Sequence, residues 1–211
     1  MRNHVRCVLV VCCLVVLGSS VTEGTLLNLI QRPPDITSGF INVAYNAGTK
    51  VFSASGQAQA FEINGAAPPD YTISSGSFSL TATISNAGVM SSGSFTIGGT
   101  ITALGANTGT LLTGNLNALG FPDVGGDPIE FTFTPTGGDL SGYYAAGPGG
   151  IILTSTSFPS TRFTIGFYND GFGMADTFSG VPEPLTAVGL LMATCGVGLR
   201  ARKLLRGRSG L

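Results

Sequence analysis

The stretch Phe78-Ser79-Leu80-Thr81-Ala82-Thr83-Ile84 alternates without a break between apolar and hydroxyl side chains. Phe78, Leu80, Ala82 and Ile84 fall on one face, Ser79, Thr81 and Thr83 on the other. That period of two is what a strand with one buried and one wet face requires. Asn86-Ala87-Gly88 turns the chain, and a second strand follows through Phe95, Ile97 and Ile101, with Gly98-Gly99 marking a bulge or bend. Segments 76–84 and 93–101 match at five of nine positions at a spacing of seventeen. Two neighbouring strands of a meander would produce this, whereas a solenoid needs three or more copies.

Moving outward, the same signals recur at short intervals. Phe40, Val43 and Tyr45 form a run ended by Asn46-Ala47-Gly48, and Val51 to Ile63 form another ended by Asn64-Gly65. Leu111, Leu112, Leu116 and Leu119 follow. Ile129, Phe131 and Phe133 alternate with Glu130, Thr132 and Thr134. Ile151 to Leu153 and then Phe163, Ile165 and Phe167 complete the series. Thr25 to Ser38, broken by Pro33-Pro34, reads as an N-terminal strand or an arm over the sheet. No helix-period run of ten residues occurs between 25 and 180. The expected fold is all-β, an antiparallel β-sandwich or partly closed barrel of about eight strands. Gly, at 32 of 211 residues, and a charged fraction of only 10% would also suit disorder. Thirteen Phe and five Tyr supply the apolar surface for a core instead.

The two ends differ from this middle. Arg2 and Arg6 precede an apolar run from Cys7 to Gly18, and small residues follow, the organisation of a secretory signal peptide over 1–24. Cleavage after Ser20 or after Gly24 fits equally. At the other end, Leu185 to Leu199 carries no charge and is followed by Arg200, Arg202, Lys203, Arg206 and Arg208. A transmembrane helix over 185–199 with this basic stop-transfer cluster in the cytoplasm would leave residues 25–180 outside.

Residues 25–180 hold three bases (Arg32, Lys50, Arg162) and nine acids, a net charge of −6. Nucleic-acid binding, which needs a basic surface, is disfavoured. All four Cys (7, 12, 13, 195) and the one His, His4, lie outside the middle. A Ser-His-Asp triad, a Cys-His dyad and a His- or thiolate-ligated metal are therefore excluded from it. Paired carboxylates remain. Asp123, Asp127 and Glu130 are the closest-spaced, read as a solvated loop leading into an outward strand residue. Asp123, Asp127 and Asp139 are weak candidates for a calcium site. No cofactor is expected. Tyr143-Tyr144 could stack on a sugar only if both lie on a loop, because adjacent strand residues face opposite ways.

Val181-Pro182-Glu183-Pro184 precedes the apolar segment. Its prolines keep it extended and non-helical. Proline-glutamate-proline, apolar helix and basic C-terminus, in that order over 181–208, resemble the PEP-CTERM sorting signal of Gram-negative bacteria. The resemblance implies recognition by an exosortase, a membrane cysteine transpeptidase, with cutting near the motif. It also implies transient residence in the inner membrane, then release to the cell envelope or an extracellular polysaccharide matrix. Val181, Pro182, Glu183 and Pro184 would be substrate residues. A plain C-terminal anchor with prolines at a helix start is the competing reading. Expected, then, is a non-enzymatic structural or matrix protein, with a carbohydrate- or calcium-binding β-sandwich adhesin as the alternative.

Overall fold

The computed structural model describes residues 25–65, 71–104, 107–145 and 147–180. The expected signal peptide, sorting motif, transmembrane segment and basic cluster lie outside the described residues. Among those described, no helix is long and apolar enough to cross a membrane.

The chain forms strands β1 (Asp35–Asn46), β2 (Val51–Glu62), β3 (Tyr71–Thr72), β4 (Ser74–Ile84) and β5 (Met90–Ile101). After a 3₁₀ turn come β6 (Asn107–Gly120), β7 (Ile129–Gly137), β8 (Gly149–Thr154), β9 (Phe167–Tyr168) and β10 (Gly173–Phe178). Each long strand pairs antiparallel with the next in sequence. The β4–β5 repeat lies side by side, Phe78 opposite Ile97 and Leu80 opposite Phe95, as a meander requires. Asn46 closes the β1–β2 turn, its Oδ1 accepting from the amides of Gly48 and Thr49.

The decisive pairing is the last. β1 is bonded to β2 on one edge and to β10 on the other, Asp35 opposite Phe178 and Ile41 opposite Gly173. The sheet thus closes into a barrel of eight strands, β3 and β9 being short additions. The sandwich reading is corrected, since alternation alone is common to both architectures and only the β1–β10 pairing separates them. Closure demands a bulge in β1. Ile36 and Ile41 both face inward although they are five positions apart, which in an unbroken strand would put them on opposite faces, and the register shifts between Ser38 and Ile41 to allow it.

The inward residues form one continuous core, including Phe52, Phe61, Phe78, Phe95, Phe131 and Phe133. Each such ring contributes about 1.5–3 kcal/mol on burial, and Phe95 and Phe133 meet edge-on at 4.6 Å. Gly149 makes room for Phe133: a Cβ there would stand 2.2 Å from the ring. One expectation fails. Phe163 and Ile165 are not in a strand. Phe163 lies in a 3₁₀ turn at Arg162–Thr164, and only Phe167–Tyr168 pairs with β1. Phe40 lies in β1 as its run suggested, but at the bulge, with φ 53° and 64% exposed.

Candidate binding surface

The barrel interior is filled by side chains. At the end where β7 begins, Phe158 and Phe163 fold in from the 155–166 loop. They meet Phe121 at 5.4 and 5.1 Å, and Phe163 meets Tyr45 at 4.9 Å. Tyr45 is held there by its hydroxyl, which donates to the Ile84 carbonyl at 2.9 Å. At the opposite end the turn Ser141–Tyr144 inserts Tyr144. It is fully buried and donates to the Thr177 carbonyl at 3.0 Å. Burial, with the nearby Asp35 carboxylate adding to it, pushes the Tyr144 phenol well above its usual range. Aromatic rings thus stop both mouths of the barrel.

The acids singled out above have structural partners. Asp123 pairs with Arg162. Asp127 binds the amides of Ser155 and Thr156 at 2.7 and 2.9 Å and the Thr156 hydroxyl at 2.7 Å, clasping the β6–β7 loop to the plug loop. Asp139 follows β7 at the other end of the barrel, so Asp123, Asp127 and Asp139 do not converge. Among the described residues no group of three or more His, Cys, Asp or Glu is placed to hold a metal. Glu130 does point outward but is only 3% exposed. The N-terminal arm lies over it, and its carboxylate accepts from the amides of Asn28 and Leu29 at 3.0 and 3.2 Å. Leu29 also packs near Gly150, and Leu27 near Gly120. Gln31 Nε2 donates to the Asp35 carboxylate at 2.5 Å. Beside it, Asp176 is raised above the usual carboxyl range by burial and by the Asp35 charge.

Tyr143 and Tyr144 do not form a sugar platform. Tyr144 is core, and Tyr143 packs edge-on against Phe61 at 5.3 Å. No protein-family model, no curated protein and no solved structure matches this chain.

The outer wall has two characters. From β2 to β7 it is a grid of small polar groups. One row crosses the sheet through Ser53, Thr81, Ser94, Asn115 and Thr134, each opposite the next in register. Between Asp70 and Asp123 no residue is charged. Polar outside and apolar inside is the reverse of a barrel whose outer face meets lipid. The wall of β1, β9 and β10 is different. Residues 168–174 run antiparallel to 40–44, with Tyr168 opposite Ala44 and Gly173 opposite Ile41. Phe40, Tyr168, Phe172 and Met174 stand out from it, 64%, 70%, 79% and 54% exposed. Beside them, an open groove of about 830 Å³ runs along the β1–β2 turn, lined by Asn46, Thr49, Val51, Ser53 and Tyr168 among others. None of its lining residues is charged. Sequence alone did not mark this patch, because Phe40 read as one residue of a strand run and which wall faces water is decided by the β1 bulge and the β9–β10 turn. The one local signal was Phe172, alone after the Asn169-Asp170-Gly171 turn.

Proposed function

We propose that this chain is an exported, non-enzymatic structural or matrix-associated protein, delivered through a C-terminal sorting signal. The observation that carries the reading is the ordered constellation of Val181-Pro182-Glu183-Pro184, the uncharged Leu185–Leu199 and the bases Arg200, Arg202, Lys203, Arg206 and Arg208. The exosortase and secretion machinery would be its processing partners, the inner membrane its transient host through 185–199, and the envelope or an exopolysaccharide or biofilm matrix its destination.

The barrel's chemistry supports this. A Cys-free domain with an apolar, aromatic interior needs no redox protection outside the cell. Its low surface charge limits its dependence on ionic strength. The second reading, a carbohydrate-binding module with the same delivery, is favoured by the exposed rings on the β1–β9–β10 wall. The test of delivery is Glu183→Ala, with the mass and location of the mature chain followed in a host that has the sorting enzyme. A retained tail and a membrane-bound chain are expected. Unaltered processing would sink the sorting reading.

A further inference from the structure

We infer that the β1–β9–β10 wall is a docking platform for a neutral polysaccharide chain. Tyr168, Phe172 and Phe40 present rings to sugar faces, and the adjoining groove supplies amides and hydroxyls to sugar hydroxyls. This gives the matrix-association reading a site and a ligand class, and it rests on that reading only for its biological setting.

Four observations carry it. First, ten large apolar side chains are exposed among the described residues, and four of them stand together here while a fifth, Val51, lines the groove. Singly exposed apolar residues are ordinary, but a contiguous group marks a contact surface. Second, the backbone at Phe40 is left-handed, φ 53°. The barrel's closure explains the bulge but not the phenylalanine. Glycine or asparagine takes that conformation at less cost, and a ring 64% exposed adds nothing to the core.

Third, the charge is wrong for other partners. The groove lining is uncharged; the exposed Lys50 in the turn it follows is offset by Asp170, the one charged residue between Tyr168 and Met174, so the strip carries no net charge. Without a cluster of bases, the strip offers no basis for binding acidic glycans or anionic lipid headgroups. Fourth, the shape is extended. Outward side chains repeat about every 7 Å along a strand and about 5 Å across strands. A row of that kind, continued by an open groove, fits a linear chain better than a compact molecule. The flat faces of pyranose rings carry C–H groups that pack on aromatic rings, while their hydroxyls need the uncharged donors and acceptors that Asn46, Thr49 and Ser53 offer.

The experiment is affinity electrophoresis of the full chain in a non-ionic detergent. The gels contain either of two neutral probes, hydroxyethylcellulose or galactomannan, or the acidic probe alginate. Retardation by at least one neutral probe and not by alginate is expected. Tyr168→Ala and Phe172→Ala should each weaken it about tenfold, equivalent to ~1.4 kcal/mol, with the urea midpoint unchanged. Thr96→Ala, an exposed residue on β5, three strands round the barrel from β1, should leave it unaltered. The proposal is overturned if neither neutral probe retards the chain, or if both ring variants bind like the parent. It is equally overturned if the rings prove to mediate self-association or binding to phosphatidylcholine vesicles in place of glycan binding. Because binding is read on the unprocessed chain, failure here leaves the sorting test intact, and failure of sorting leaves this one intact.

Discussion

The two outer walls of the barrel stand over one shared core and have opposite chemistry. Strands β4 to β6 turn Ser, Thr and Asn to water. Strands β1, β9 and β10 turn out Phe40, Tyr168, Phe172 and Met174. Folding demands the inward half of each strand's pattern and is nearly indifferent to the outward half. The hydroxyl wall is thus what the fold tolerates cheaply. The aromatic wall, which leaves large rings wet, has no folding reason. A third region, the arm over Glu130, shows the remaining option, in which an outward acid is buried by covering it with chain.

Perturbations should sort by these regions. The largest effect belongs to the core that both walls share. Phe133→Ala should cost about 3–5 kcal/mol, lowering the urea midpoint and loosening both walls together in hydrogen exchange. If only one wall loosens, the barrel is not a single cooperative unit. Glu130→Ala comes next. It leaves two amides of the arm without their acceptor, a loss of about 1–3 kcal/mol, and should raise exchange at Asn28 and Leu29 before it touches β4 to β6. Asp127→Ala unclasps the plug loop from the β6–β7 loop. It should cost about 1–2 kcal/mol and increase the exchange of the Ser155 and Thr156 amides.

Smaller still is Asp176→Asn. The folded protein raises this carboxyl above its ordinary value of 3.8, through burial and the Asp35 charge. The native state therefore binds the proton more tightly than the unfolded chain. Stability from this group is present at low pH and lost as pH rises from about that value through the higher folded one. Removing the charge should raise the melting temperature by about 1–2 °C at pH 7 and by nothing at pH 3. An equal gain at both pH values would place the effect elsewhere. The smallest change is expected on the hydroxyl wall, where Thr81→Ser or Ser94→Ala should stay within about 0.5 kcal/mol. Tyr168→Ala should be as mild in stability, and its different consequence, lost glycan retention, is what separates the two walls.

Much of the fold was legible in the alternation of Phe78 to Ile84, the β4–β5 repeat, the turn at Asn86-Ala87-Gly88 and the bulge at Gly98, because each is a local consequence of period two and turn chemistry. The arm was half legible, since Pro33-Pro34 marked a break but nothing local to Glu130 told that 28 and 29 would cover it. The candidate site was not legible. Phe163 and Phe40 look alike in sequence, yet one plugs the barrel and the other faces water.

The sequence by itself determined an all-β domain with an aromatic core, free of Cys and His, between two ends that carry its targeting pattern. Those properties follow from residue type and near-neighbour spacing. Only the tertiary structure decided that the sheet closes, because the pairing of β1 with β10 joins segments more than a hundred residues apart. That closure required the bulge at Phe40. It also determined which aromatics the plugged interior takes up and which the outer wall of β1, β9 and β10 leaves exposed.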